Sequence, residues 1–93
     1  MDPINLIQKE GRRRGLSYKT IKTYCNCMKT FLKYYKNDPI KISKNDIKEY
    51  LDKLLEKNVS NSTLNVNLMA LKFFTKNILN KIMDKNLKQK ELE

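Results

Sequence analysis

The chain contains no histidine and no tryptophan, and among its 93 residues there are only two cysteines, two glycines and two prolines. A zinc site needs several cysteine or histidine ligands that converge on one ion. Cys25 and Cys27, two residues apart on a helix, project about 200° apart and cannot share an ion or form an intrahelical disulfide. We therefore expect no metal site and no cofactor, with both thiols reduced, Cys25 in the core and Cys27 at its edge.

The scarcity of glycine and proline also disfavours a fold of many short strands, because chain reversals commonly use these residues. A chain of this size buries enough core for three or four helices, but not for two lobes around a large active site. No apolar run approaches the roughly 20 residues that cross a bilayer, and the N-terminus lacks the charged-then-apolar plan of a secretion signal. We expect a cytoplasmic domain that is monomeric in isolation and has no membrane partner.

The net charge of +10 comes from 20 basic and 10 acidic residues. A small basic domain commonly has a polyanionic partner, although the 17 lysines and 11 asparagines also fit an AT-rich genome. The placement of the charge decides between these explanations. Residues 1–36 carry a net +7, residues 37–59 carry none and residues 60–93 carry +3, and no acidic residue lies between Gly11 and Asn37. Codon bias would spread lysine evenly, so a polarised distribution indicates a nucleic-acid surface.

Apolar residues recur at helical spacing in four segments and predict an all-α four-helix bundle. Ser17, Ser43 and Ser60 are suited to cap helix N-termini, and Ser43 with Asp46 resembles a capping box. Gly15 can take a positive φ and end the first helix. The predicted helices cover about 4–14, 18–36, 44–57 and 61–80.

The apolar positions also predict which side chains form the core. Ile40 and Ile42 are expected to tuck the loop after the second helix onto it, and the five tyrosines lie at or near core spacing. The fourth helix is apolar on a second side, through Val66, Ala70 and Phe73, which is typical of a central helix or of a partner contact. The third helix contributes a clear apolar face of Ile47, Tyr50, Leu51, Leu54 and Leu55, while its exposed face mixes lysines with acids.

Basic and polar residues mark three candidate contact regions. Arg12, Arg13 and Arg14 crowd the end of the first helix, where they either complement its dipole or contact phosphate. The fourth helix carries a narrow polar strip, Asn65, Lys72 and Lys76. One face of the second helix, within about 80° at the helical repeat, carries Lys19, Lys22, Asn26, Lys29 and Lys33.

The order of these pieces resembles the N-terminal core-binding domain of phage-type integrases and Xer-like tyrosine recombinases. The resemblance is carried by Gly15-Leu16-Ser17-x-x-Thr20-x-x-x-Tyr24, then Phe31-Leu32, then Ile42-x-x-x-Asp46-Ile47-x-x-Tyr50-Leu51, and then Val59-Ser60-x-x-Thr63-Leu64-Asn65 with Leu68, Leu71 and Phe74. It covers about residues 4–80. It implies a SAM-like bundle that grips one side of a DNA duplex while a separate catalytic domain grips the other.

The same resemblance implies which residues meet phosphates. These would be Ser17, Lys19, Thr20 and Thr23 at the start of the second helix, and Thr63, Asn65 and Lys72 on the fourth. It also implies that the catalytic domain of the parent chain and neighbouring recombinase protomers are partners. We expect residues 1–80 to form the DNA-binding domain and residues 81–93 a linker or helical extension. The chain itself is expected to be non-catalytic, since the family's histidine is absent and no tyrosine has catalytic partners.

Two other functions fit part of the pattern. A helix-turn-helix regulator would share the charge and could use the Asn58-Val59-Ser60 connection as its turn. A helical protein–protein interaction module would use Val66, Ala70 and Phe73 as its docking patch. For DNA recognition, Asn26 and Asn65 are the candidates for contact with base edges.

Overall fold

Four α-helices make up most of the computed structural model, which describes residues 2–82. The connection between the second and third helices contains a short 3-10 helix, Pro39–Lys41. Within residues 2–82 there is no β-strand, and the predicted all-α four-helix fold is confirmed. The helices are α1 (Pro3–Arg13), α2 (Tyr18–Tyr34), α3 (Lys44–Glu56) and α4 (Asn61–Phe74).

The fourth helix changes its hydrogen-bonding pattern near its end. After Phe74 the chain forms a π-helical turn, Thr75–Leu79, and then continues as α-helix to Ile82. The sequence predicted one regular helix over 61–80, so this turn is a departure. Of the expected linker or extension over 81–93, Lys81 and Ile82 continue the helix, and residues 83–93 lie outside the described part of the chain.

Serine side chains begin three of the helices. The Oγ atoms of Ser17, Ser43 and Ser60 accept hydrogen bonds from backbone N–H groups three residues on, at 3.2, 3.2 and 3.1 Å. The Asp46 carboxylate returns the contact by accepting from the Ser43 N–H at 2.9 Å, which completes the capping box. The predicted caps are confirmed, and Gly15 has the positive φ of 72° that its role after α1 requires.

The core is built mainly from α1, α2 and α4. The largest fully buried side chains are Phe31, Phe74, Ile7, Met28 and Leu71. The third helix adds Ile47 and Tyr50, and the Tyr50 ring meets Phe31 edge-on with centroids 5.0 Å apart. Burial of these apolar surfaces, at roughly 25 cal/mol per Å², is the main stabilising term.

Close approach of α1 and α2 explains a glycine inside a helix. A Cβ atom on Gly11 would lie 2.7 Å from Cγ1 of Ile21, well inside van der Waals contact. Glycine costs about 1 kcal/mol relative to alanine in a helix interior. Here it lets the two helices pack at a distance that alanine would not allow.

Three side chains predicted in or near the core are exposed. Ile40 is 37% exposed, because the 3-10 turn directs Ile42 rather than Ile40 into the core. Leu55, in the last turn of α3, is 54% exposed. Tyr18 is 80% exposed because it begins α2, one turn before the first core residue of that helix, Ile21.

The second apolar side of α4 is occupied within the domain. Ala70 is fully buried, and the ring of half-buried Phe73 lies 5.4 Å from that of Tyr24 on α2. The helix packs against α2 and against α3, as a central helix does. For Ala70 and Phe73 the structure therefore favours core packing over a free docking patch, while Val66 is half-buried and lies outside the core cluster.

Candidate nucleic-acid interface

The outer face of α2 is uniformly basic. Every ion pair within residues 2–82 involves Glu10, so the lysines of this face have no carboxylate partner in that range. Their ammonium groups are free to meet an external anion. The predicted residues Lys19, Lys22, Asn26, Lys29 and Lys33 are all exposed.

The first turn of α2 holds a small hydroxyl network. The Ser17 hydroxyl donates to Thr20 Oγ1 at 2.9 Å while it accepts from the Thr20 N–H. Thr23 Oγ1 donates to the Lys19 carbonyl at 2.9 Å. Thr20 keeps its own hydroxyl proton, which can donate to an anion at the positive end of the helix dipole.

The first turn of α4 repeats this arrangement. Ser60 Oγ donates to Thr63 Oγ1 at 3.0 Å and accepts from the Thr63 N–H at 3.1 Å. Both helices thus begin with a serine and a threonine three residues later, with matching geometry. The likeness lies in the hydroxyl pair itself, because the residues between differ: Tyr18 and Lys19 in α2, Asn61 and Ser62 in α4.

The starts of α2 and α4 lie apart in the bundle. Lys81, at the end of the fourth helix, contacts Glu10 on the last turns of α1, from which a short loop leads into α2. Ser60 lies about 20 Å along the helix axis from Phe73, the residue that contacts Tyr24. The end of the fourth helix, rather than its start, is therefore near the beginning of α2. A duplex that contacted the N-termini of both α2 and α4 would have to extend along the length of these two helices.

Two of the three arginines are engaged by one acid. The Glu10 side chain, only 9% exposed, accepts from Arg13 at 3.0 and 2.6 Å and from Arg14 at 3.2 Å. Lys81 Nζ donates to both carboxylate oxygens at 3.0 Å. Hydrogen bonding to Arg13, aided by Lys81 and Arg14, lowers the pKa of Glu10 to about 2 despite its burial.

The same bond raises the pKa of Arg13. Arg12 is exposed and has no carboxylate partner within residues 2–82. Of the three arginines it is the one free to meet phosphate without first breaking an ion pair. The pairing of Arg13 and Arg14 with Glu10 was not predicted, although the acid lies three and four residues before them on the same helix, the spacing at which side chains meet.

The polar strip of α4 is exposed as its spacing predicted. Asn65, Lys72 and Lys76 all face solvent. Met69, which was not among the predicted residues, is 55% exposed and lies on the same face as this strip. Asn67 differs from these neighbours, because it is buried and donates to the Thr63 carbonyl at 2.8 Å.

Lys72 and Lys76 also line a groove of 1030 Å³ between α4 and α3. Across it stand Lys44 and Lys48 of α3, with Lys41 from the preceding 3-10 helix. We call the space enclosed by these five lysines the lysine groove. The mixed charges of α3 predicted an ordinary solvent face, so Lys44 and Lys48, with Lys41 before them, were not among the predicted contact residues. The spacing of four between Lys44 and Lys48 was the available signal, since it places both on one side of a helix.

The two cysteines and the possible metal ligands form no further candidate site in residues 2–82. Cys25 is buried and Cys27 half-buried, as expected, and burial raises the pKa of both thiols, which disfavours the reactive thiolate. Within residues 2–82 no group of three or more metal-ligating side chains converges. None of the helices in that range is both long enough and apolar enough to cross a membrane.

The comparisons with known proteins agree with this architecture. The family model for the phage integrase N-terminal SAM-like domain matches residues 4–85. No curated protein and no solved structure was found to match. The match confirms the resemblance drawn from the ordered caps and core positions. It covers most of the chain and concerns the N-terminal rather than the catalytic domain of integrases. The chain belongs to the family of phage integrase N-terminal SAM-like domains.

Proposed function

We propose that this chain binds double-stranded DNA as the N-terminal clamp domain of a site-specific tyrosine recombinase, mainly through the phosphate backbone. One observation carries the proposal. The outer face of α2 presents four exposed lysines without a carboxylate partner in the described range. Family membership supports it, because it connects the chain with integrases and hence with recombination. Lysine is a point charge, suited to phosphate rather than to base recognition.

In this proposal the two helix starts fix the position of the backbone. The Thr20 and Thr63 hydroxyls, each already accepting from a serine, donate to phosphate oxygens. Lys19, Lys22 and Lys29 neutralise neighbouring phosphates along α2. The Thr23 hydroxyl would have to leave the Lys19 carbonyl before it could donate to a phosphate. Arg12, Lys72 and Lys76 add further charge. Arg13 and Arg14 would contribute mainly to the local potential, because both are paired with Glu10.

Sequence preference would come from few residues. Asn26 and Asn65 are exposed amides on the two proposed contact faces, and an amide can pair with an adenine edge. Closure on the duplex would require the catalytic domain of the parent chain, and neighbouring protomers would meet along the DNA. This function belongs in the cytoplasm, and the isolated domain would bind DNA as a monomer.

The test is a titration of a labelled duplex followed by fluorescence anisotropy at several salt concentrations. Binding in the micromolar range or weaker is expected, with log K falling by about 0.9 per log unit of salt for each phosphate contacted. Lys22→Glu with Lys29→Glu should weaken binding and flatten the salt slope by about two units. The control, Lys53→Glu with Lys57→Glu, changes the same charge on α3 and should have a much smaller effect. Salt-independent binding, or equal losses in both variants, would overturn the proposal.

A helix-turn-helix regulator remains the alternative, favoured by the four-residue connection between α3 and α4, residues 57–60, in which Asn58 takes a positive φ of 59°. Amide chemical shifts recorded during the DNA titration separate the two functions. A clamp domain should show shifts at Thr20 and Thr63 together. A regulator that reads DNA with α4 should show shifts on α4 while the start of α2 stays unchanged.

A further inference from the structure

The floor of the lysine groove is apolar. Ile42, Ile47 and Leu79 are almost fully buried along it, and half-buried Leu51 and Leu68 continue it between α3 and α4. Ile40, 37% exposed, stands at the end of the groove. The apolar surface that the groove leaves open to a partner is therefore that of Ile40 and of the outer parts of Leu51 and Leu68.

The rim has one sign of charge. Lys41, Lys44, Lys48, Lys72 and Lys76 line the groove, and none of its lining residues is an aspartate or glutamate. Within residues 2–82 no carboxylate pairs with any of the five. The acids of α3 do not neutralise them: Asp46 is held in the capping box, and Glu49, Asp52 and Glu56 are not among the lining residues.

One wall of the groove departs from regular α-helix. Thr75, Lys76 and Leu79 line it and belong to the π-helical turn. Such turns are rare and often accompany functional sites. Here the turn shapes the same wall that presents Lys76 at the rim and Leu79 at the floor.

We propose that the lysine groove docks an acidic amphipathic helix of a protein partner. Such a helix, about 10–12 Å across with its side chains, lays apolar residues spaced i, i+3, i+4 and i+7 into a hydrophobic groove. Its flanking carboxylates meet the five lysines, and this charge complementarity gives specificity and speeds association. A DNA duplex satisfies only half of the surface, because its phosphates pair with the lysines but leave Ile40 and the exposed parts of Leu51 and Leu68 uncovered.

This inference does not rest on the proposed DNA binding. The groove proposal depends on Lys41, Lys44, Lys48 and the apolar floor, which the DNA-binding proposal does not use. None of these residues is on the α2 face. Lys72 and Lys76 are common to both proposals. A partner helix in the groove would therefore compete for these two lysines while leaving the α2 face free.

The test uses a fluorescein-labelled peptide of about 16 residues, with leucines at helical spacing on one face and glutamates elsewhere. Two control peptides are a shuffled sequence of the same composition and a version with lysine in place of glutamate. Anisotropy titrations compare the unmodified chain with Lys44→Glu/Lys48→Glu and with Lys29→Glu/Lys33→Glu. The second pair is matched, since it reverses two exposed charges four residues apart on α2. Ile40→Ser tests the floor at an exposed position that the fold does not depend on.

The acidic amphipathic peptide should bind the unmodified chain, and the two control peptides should bind at least about tenfold more weakly. Lys44→Glu/Lys48→Glu should weaken peptide binding by about tenfold or more, and the α2 pair by less than about twofold. Ile40→Ser should weaken it severalfold. Equal binding of the shuffled peptide, or equal loss in both charge variants, would overturn the proposal. So would loss of duplex binding in Lys44→Glu/Lys48→Glu with peptide binding unchanged, which would assign the groove to DNA.

Discussion

The ammonium group of Lys81 lies 3.0 Å from both carboxylate oxygens of Glu10, a residue 71 positions earlier in the chain. This contact fastens the end of the fourth helix to the end of α1. Arg13 and Arg14 complete the cluster around the carboxylate. Because Glu10 is almost buried and its three partners are 41–60% exposed, one acid anchors three cations whose outer parts remain in water.

Glu10→Gln is expected to lower the free energy of unfolding by about 1–3 kcal/mol, because an uncharged amide cannot hold three cations in a largely buried position. Urea denaturation at neutral pH measures the loss. Glu49→Gln, an exposed residue of α3 without an ion pair in the described range, is the matched control and should change stability by less than about 0.5 kcal/mol. Equal effects of the two substitutions would contradict the role given to Glu10.

The stability contributed by Glu10 should depend on pH in a defined direction. Its pKa is about 2 in the folded chain, against an ordinary value of 4.5. A lowered folded pKa means that the contribution is complete above about 4.5 and is lost as the pH falls toward 2. Urea denaturation between pH 7 and pH 2.5 should show this decline in the free energy of unfolding. The free energy of unfolding of Glu10→Gln should fall less steeply over the same range. Parallel pH curves for the two proteins would exclude this source of acid sensitivity.

Gly11→Ala should destabilise the chain by about 1–3 kcal/mol, although alanine is the better helix former. The added Cβ would meet Cγ1 of Ile21 at 2.7 Å. In an Ile21→Ala background that atom is absent, so the same substitution should cost less or become favourable. Thermal denaturation of the four proteins in this double-mutant cycle measures the coupling. Additive effects would show that the close approach of α1 and α2 is not what selects glycine.

Ser60→Ala should cost about 1 kcal/mol of stability, because the Thr63 N–H loses its side-chain acceptor at the start of α4. Ser62→Ala is the matched control: Ser62 is exposed, lies two residues further on and caps nothing. Denaturation midpoints compare the two proteins. Since the Ser60 hydroxyl also donates to Thr63, the same variant should weaken duplex binding more than Ser62→Ala does, if the helix start contacts phosphate.

Local features of this fold were predictable. The serine caps, the capping box of Ser43 and Asp46, and the positive φ of Gly15 all depend on hydrogen bonds or sterics within a few residues. The exposed lysines of α2 followed from the helical repeat alone. The prediction for Ile40 was wrong because the 3-10 turn directs Ile42 inward instead, and the errors at Leu55 and Tyr18 have another cause. Periodicity identifies an apolar side chain, but it does not identify whether another element covers it.

The candidate site likewise has one part that the sequence could predict and one part that it could not. The α2 face was predictable because all its residues lie on one helix, at a repeat that the sequence displays. The lysine groove was not, because Lys44 and Lys48 face Lys72 and Lys76 only after α3 packs against α4. The pairing of Glu10 with Lys81 likewise depends on how the two ends of the chain meet.

By itself, the sequence determined four helices, their caps, the basic face of α2 and the family to which the ordered pattern points, since these depend on interactions within a few residues. The tertiary structure alone decided that Lys81 joins the Glu10 carboxylate, that Phe73 is packed on Tyr24, and that lysines from two helices line one apolar groove. The physical reason is that pairing and burial depend on contacts between residues far apart in the chain. Helical periodicity carries no information about those contacts.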